Sequence, residues 1–402
     1  MTRLLLLETS GGNGLIQVAT AKEQELRRAD PTIVVLRRDL LLDGVWPLIG
    51  RWGVWQWNRA QKKGDVARQE WFVRNQWVGD DFLFWPYVFV WFWAVLMRFK
   101  PDRILDTQPI ATGALLKAIR FYNWCRGKQL VLEKVLVDFP TDLASHFLWP
   151  LRKVNKRDLE LLRIRTIPPL LKKGETAAEF WMRECGLRED QIILEPSPVR
   201  EAFEVYRGKP RKVECAIPVK IAHAEEGKIL ASVLGEQWGE GMHSFVVKAG
   251  ERLITLSLGS QPAREGTLEY VRRLYEQSKE SAKPTVLVIL AGAHRPGMTS
   301  LFAEVAKVAG EMQGMRVIPL PFQSDATIAA LFHRSDLTIT RSGGSTAHEL
   351  LAVSTGEIWI HSEAKDPQDK ADLLKGIPGW ERGNALYMKA VRGARIVTPS
   401  SF

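Results

Sequence analysis

Three glycine-rich turns in this chain have residue types suited to binding phosphate. They are Ser10-Gly11-Gly12-Asn13-Gly14, Gly259-Ser260-Gln261 and Ser342-Gly343-Gly344. Each follows a short apolar run and precedes a helical pattern, so its backbone N–H groups sit where a helix dipole attracts anions. None matches G-x-x-x-x-G-K-[ST], and Gly11–Gly14 does not complete G-x-G-x-x-G, so a P-loop and a dinucleotide cofactor are both poorly supported. Glu349 lies three residues beyond Thr346. A carboxylate one turn past a phosphate-binding helix start can accept the paired hydroxyls of a ribose, or can simply complement the dipole. The histidines form no H-x-x-x-H or H-E-x-x-H pair, there is no G-x-S-x-G elbow, and no metal is expected.

The elements that must position these turns alternate. Residues 3–7, 32–36, 103–106 and 129–137 read as strands, with helices from Leu15 to about Arg28 and over 112–120. The alternation returns with strands at 253–257, 285–290, 317–320, 337–340 and 357–360, and helices at 265–279, 299–312, 325–333 and 346–353. This is the pattern of doubly wound α/β domains, which bind ligands at the carboxyl ends of strands. The expected organisation is an N-terminal Rossmann-like domain over 1–205, a connector or insertion over 206–250 without clear helical period, and a second Rossmann-like domain over 251–402. Two such domains facing one another leave a cleft for a ligand.

The 402 residues carry a net charge of +10, which calls for an acidic partner: nucleic acid, anionic lipid or nucleotide phosphate. Nine of the fifteen tryptophans lie between Trp46 and Trp93, interleaved with Arg51, Arg59, Lys62, Lys63, Arg68 and Arg74. Trp favours the membrane–water interface and Lys and Arg favour anionic headgroups. The apolar stretch 82–97 is shorter than the ~20 residues a span needs and contains Pro86, so it reads as a helix entering the interface or the core. Peripheral membrane contact through 46–97 is expected, and nucleic-acid binding is not, because the basic residues cluster with Trp rather than along a groove-reading motif. Three scattered cysteines fit a reducing compartment, and Leu4–Leu7 is too short for a signal peptide. The expected location is cytoplasmic, on the cytoplasmic face of a membrane.

The string Thr340-Arg341-Ser342-Gly343-Gly344-Ser345-Thr346-Ala347-His348-Glu349-Leu350 resembles the nucleotide-sugar motif of the MurG-like glycosyltransferases. That group includes plant-type monogalactosyldiacylglycerol synthases and bacterial diacylglycerol glucosyltransferases. Further segments resemble the family in the same order: Lys100-Pro101-Asp102 with Thr107-Gln108-Pro109, Thr141-Asp142-Leu143 with His146 and Trp149, Gly186-Leu187 with Pro198–Phe203, Leu258–Gln261, and Glu381–Ala385. The resemblance implies a GT-B fold and an inverting, metal-independent transfer from a UDP-sugar, with no cofactor, to a membrane lipid acceptor. It implies Ser260 and Gln261 at the diphosphate, Ser342–Ser345 at the phosphate-binding helix start, Glu349 at the ribose, and Glu381 and Asn384 facing the sugar. Relatives carry a His in or just after the N-terminal loop, whereas Gly11–Ile16 has none and Asn13 cannot act as a base at neutral pH. Asp142 is the first substitute, Asp138 the second and His146 the third. A UDP-sugar epimerase and a non-catalytic UDP-sugar or membrane-binding module are the competing readings.

Overall fold

The computed structural model describes residues 1–10, 13–44, 47–62, 65–77, 83–235, 237–259, 262–365 and 367–401. Its first part runs β1 (Arg3–Glu8), α1 (Asn13–Ala29), β2 (Val34–Asp39), α2 (Leu40–Asp43), α3 (Pro47–Lys62), α4 (Val66–Trp77), α5 (Trp85–Phe99) and β3 (Arg103–Asp106). It continues with α6 (Thr112–Arg126), β4 (Leu132–Val135), α7 (Ser145–Leu148), α8 (Lys156–Leu159), β5 (Leu162–Thr166), α9 (Ala177–Cys185), β6 (Ile192–Leu194) and α10 (Glu201–Glu204). Strands β1–β6 form one sheet in the order β2-β1-β3-β4-β5-β6, parallel throughout. The central strands β1, β3 and β4 are buried on both faces, as the middle of a parallel sheet requires: Leu4 to Leu7 are all inaccessible.

Next come β7 (Cys215–Ile221), α11 (Ala224–Leu234) and β8 (Gly241–Val247), then β9 (Arg252–Ser257), α12 (Arg264–Ser278), β10 (Thr285–Leu290), α13 (Leu301–Ala309) and β11 (Met315–Leu320). The chain finishes with α14 (Asp325–Arg334), β12 (Leu337–Thr340), α15 (Gly344–Val353), β13 (Glu357–His361), α16 (Lys370–Lys375), α17 (Gly379–Arg392) and β14 (Arg395–Val397). The second parallel sheet has the order β11-β10-β9-β12-β13-β14. Its direction of winding reverses between β9 and β12, and the loops leaving those two strands border the crevice where such sheets hold ligands. In the first sheet the reversal lies between β1 and β3.

Residues 206–250, expected to hold a connector or insertion without clear helical period, contain an antiparallel β7–β8 pair and also helix α11. Ile217, Val219, Leu230 and Val247 join the same core as Leu253 and Leu287, so this unit packs on the second sheet. The helix is hard to read because its apolar residues, Ile229 to Ala231 with Val233 and Leu234, come as a short cluster in its second half, behind Glu225 and Glu226 of its first turn. Observed β4 is also shorter than the strand expected over 129–137, since residues 136–141 turn towards the second domain. Phe139 lies in a core shared with Phe332, Leu350 and Met388.

Between β2 and β3 the crossover carries α2–α5. Helix α5 buries Val88, Phe92 and Leu96, spaced by four, in the core that also holds Leu115, Ile119 and Tyr122 of α6. Its other faces expose Tyr87 and Val90. Among the described residues no helix is long and apolar enough to cross a membrane.

Candidate active site

A cavity of about 630 Å³ lies between the two sheets. The fold is GT-B. From the first domain the cavity receives Thr9, Asn13 and Gly14 after β1 and Pro109 and Ile110 after β3. From the second it receives Ser257–Gly259 after β9 and Arg341, Gly343, Gly344 and Ser345 after β12. Each contribution comes from the carboxyl end of a strand.

The starts of α1 and α15 meet at this cavity. A Cβ on Gly14 would lie 3.4 Å from Ser345 Oγ, and one on Gly344 would lie 2.3 Å from the Val137 carbonyl oxygen and 2.9 Å from Asp138 Oδ1. Position 344 therefore admits only glycine in this arrangement. Two positive helix ends and the Arg341 guanidinium converge on one region, which suits an anion.

Two buried carboxylates border that region. Glu349 Oε1 accepts from Arg200 Nε at 2.9 Å and from a terminal Arg200 nitrogen at 2.7 Å. Arg200 also pairs with Asp325. Burial pushes the Glu349 carboxyl up to about 7, against the pull of Arg200. Glu381 sits 3.5 Å from Arg341, and its carboxyl is likewise raised by burial, with Arg341 opposing.

A third group lies on the first-domain side. His146 lines the cavity with its side chain only 9% exposed, and its Nε2 lies 2.9 Å from Asp138 Oδ2. In the neutral imidazole, the nitrogen that donates to a carboxylate carries the proton and the other ring nitrogen keeps its lone pair. That nitrogen, Nδ1, is buried without a hydrogen-bond partner. The imidazole packs near the Trp380 ring at 5.8 Å.

The structure thus gathers Asn13, Gly14, Asp138, His146, Arg341, Gly343, Gly344, Ser345, Thr346, Glu349 and Glu381 around one cavity. Three expectations need correction. Asp142, the first choice as base, does not line the cavity: its carboxylate is 45% exposed and faces Lys172 Nζ at 3.3 Å. Asn384 does not face a sugar. It is inaccessible, and its amide is committed to Asp138, Phe139 and Ser342. The Ser342 side chain is buried beside the cavity rather than in its wall. Gly12, Ser260 and Gln261 lie outside the described residues.

Sequence reasoning passed over Arg200 and Trp380. Arg200 lies in a segment singled out only for its resemblance. A buried arginine after Pro198-Val199 is itself a signal, because such a cation needs a carboxylate partner.

The cavity also has an apolar arm. Ile49, Trp52 and Trp57 of α3, Trp71 and Phe72 of α4, and Phe84 line it. The arm adjoins the second domain: the Trp57 and Trp380 rings lie 5.4 Å apart, and Glu70 of α4 pairs with Arg382 of α17 at 2.9 Å.

No protein-family model matches the chain, and the search of curated proteins gave no match. Solved structures that it is similar to include MurG from Acinetobacter baumannii, at 11% identity and a TM-score of 0.47, covering 100% of this chain and 87% of that one. A UDP-GlcNAc 2-epimerase from Neisseria meningitidis bound to UDP-GlcNAc has 12% identity and a TM-score of 0.44, covering 97% and 91%. The E. coli heptosyltransferase WaaC with ADP has 11% identity and a TM-score of 0.39, covering 100% and 94%. Likenesses at this level bear on the course of the chain and not on its chemistry.

Proposed function

We propose that this protein is a glycosyltransferase that moves a sugar from a UDP-sugar to a lipid or lipid-linked acceptor at a membrane surface. The observation that carries the reading is one cavity with two unlike ends. Helix starts, Arg341, Glu349 and Glu381 form a polar end, the tryptophans of α3 and α4 form an apolar arm, and His146 also lines the wall.

In this reading the start of α15 and Arg341 face the diphosphate, Glu349 accepts ribose hydroxyls through the oxygen that Arg200 leaves free, and Glu381 faces the sugar. A small shift of the His146 ring opens its buried Nδ1 to the cavity, where it takes the proton of the acceptor hydroxyl. The freed oxygen forms a bond to the anomeric carbon as that carbon's bond to the diphosphate breaks on the opposite face, giving inversion. The negative charge leaves with UDP, where a fixed positive helix end stabilises it without reorganising. That supply of positive charge from backbone and Arg341 supports a metal-independent transfer.

The outer faces of α3–α6 support membrane contact. These helices hold one acid, Glu70, against nine Lys and Arg, and Glu70 is already paired with Arg382. Trp52, Trp55, Trp71, Tyr87 and Trp124 are more than half exposed among them. Such a surface suits the anionic cytoplasmic leaflet.

The test is UDP release from a panel of UDP-sugars, with and without liposomes containing diacylglycerol and polyprenyl-phosphate lipids. Release that requires one sugar nucleotide and one lipid is expected. UDP binding without release for any pair would favour a binding module, and interconversion of UDP-sugars without an acceptor would favour an epimerase.

A further inference from the structure

Asn384 is one of the site residues expected from the sequence that the structure turns away from the cavity, and all of its side-chain hydrogen-bonding groups are engaged. Its Nδ2 donates to Asp138 Oδ1 at 2.6 Å and to the Ser342 carbonyl at 2.8 Å, while its Oδ1 accepts from Phe139 N at 2.7 Å. The partners fix the orientation of the amide, since a carboxylate and a carbonyl need donors and a backbone N–H needs an acceptor. Asp138 and Phe139 belong to the first domain, and Ser342 to the turn before α15 in the second.

We infer that Asn384 is a positioning residue that sets the His146–Asp138 pair only when the two domains are closed around the donor turn. The inference rests on the assignment of His146 as the base. Asp138 has two oxygens: Oδ2 meets His146 Nε2 and Oδ1 meets Asn384. Holding Oδ1 fixes the rotation of the carboxylate, and this in turn fixes the ring and keeps the proton on Nε2. Because the same amide nitrogen holds the Ser342 carbonyl, a displaced donor turn releases Asp138. Proton removal is thereby tied to the presence of the donor. Separating the domains would remove the amide and leave the carboxylate free to rotate.

The test uses the full chain labelled with 15N-histidine, with UDP as the probe. The His146 imidazole is assigned by loss of its signals in H146Q. In the parent protein with UDP, its nitrogens should report the Nε2–H form. N384D keeps the shape of the side chain, loses both donors and sets a second carboxylate against Asp138. It should therefore abolish that signature and leave a mixture of ring forms, while UDP raises Tm as in the parent. N384A should act in the same direction. An unchanged His146 signature in both variants overturns the inference. Loss of the UDP-induced Tm rise in both variants also overturns it, because the residue would then serve the donor site or the fold directly.

A kcat cycle on the active donor–acceptor pair separates the inference from the reading beneath it. N384A should lower kcat 10–100-fold with little change in KM for the donor, and should add nothing on a D138A background. Additive losses overturn the positioning role while leaving His146 as base. Undiminished kcat in H146A instead removes the base assignment itself.

Discussion

Arg200 Nε and a terminal Arg200 nitrogen converge on a single oxygen of Glu349, at 2.9 and 2.7 Å, leaving the second oxygen of that buried carboxylate outside the bidentate grip. The carboxyl is raised to about 7 from 4.5, chiefly by burial. A raised acid binds more protons folded than unfolded between these values, so its stabilising contribution is present at low pH and is lost as pH rises towards 7. Unfolding free energy of the parent should therefore fall relative to E349Q between about pH 5 and 7, by on the order of 1–3 kcal/mol, and the gap should then stay level. Parallel stability curves for the two proteins would refute the assignment. Ribose hydroxyls need the ionised carboxylate as acceptor, so uridine affinity should weaken by up to about tenfold per pH unit below pH 7. Calorimetry with uridine avoids the titration of the diphosphate.

H146A and H146Q should lower kcat by about 10²–10⁴-fold, the usual worth of a general base. UDP affinity should remain within a few-fold of the parent, because the assigned nucleotide contacts come from the second domain. D142A should leave kcat nearly unchanged, since its carboxylate is turned to Lys172 outside the cavity. The decisive comparison is steady-state kinetics of the two histidine variants beside D142A.

Two adjacent glycines should respond oppositely. A Cβ at Gly343 finds its nearest neighbour, Glu381 Oε1, at 3.9 Å, whereas one at Gly344 collides with the Val137 carbonyl. G343A should fold and bind UDP much as the parent does. G344A must force the α15 start and the 137–138 backbone apart, at a cost of about 1–3 kcal/mol in overpacking, and should weaken UDP binding as well. Thermal melts with and without UDP would check both.

On α5 and α6 the buried and exposed faces predict two separate losses. F92A should destabilise by about 3–5 kcal/mol, as removal of an inaccessible ring does. A Y87S/W124S double variant changes residues that are 51% and 78% exposed. It should keep its Tm and lose affinity for liposomes rich in anionic lipid. Binding of the parent should weaken with salt, because screening shortens the reach of the nine cations. Retained liposome affinity in the double variant would move the contact surface elsewhere.

Most strands of the two sheets were legible because each is a short apolar run closed by a turn, and the runs 285–290 and 337–340 match the observed strands to the residue, whereas β5 (LRIRT), β6 and β14 are too short or too charged to stand out. The cavity-lining turn before α15 was legible for the same local reasons. The base was not. Asp138 and Asp142 stand four positions apart in one turn, and periodicity cannot tell which of them faces the cleft. The distinction comes from Asn384, 246 residues away, which holds Asp138 while Lys172 takes Asp142. Helix α11 escaped notice because its apolar residues lie together at 229–234 and do not repeat over a second face-defining turn.

The crossover between β2 and β3 has a consequence for how such a protein can diverge. Both strands are registered against β1, where Leu4 pairs with Val35 on one side and Arg103 on the other. The sheet therefore keeps its alignment whatever lies between Asp39 and Arg103. That insert supplies the apolar arm, while Arg341, Glu349 and Glu381 come from another part of the chain. A lineage can rewrite the insert as a cassette and so change the apolar arm without disturbing the polar end of the cavity, which under the proposed function would change the acceptor and keep the donor. The main condition is that the new insert still offers Trp380 a ring to rest on and Arg382 an acid to hold.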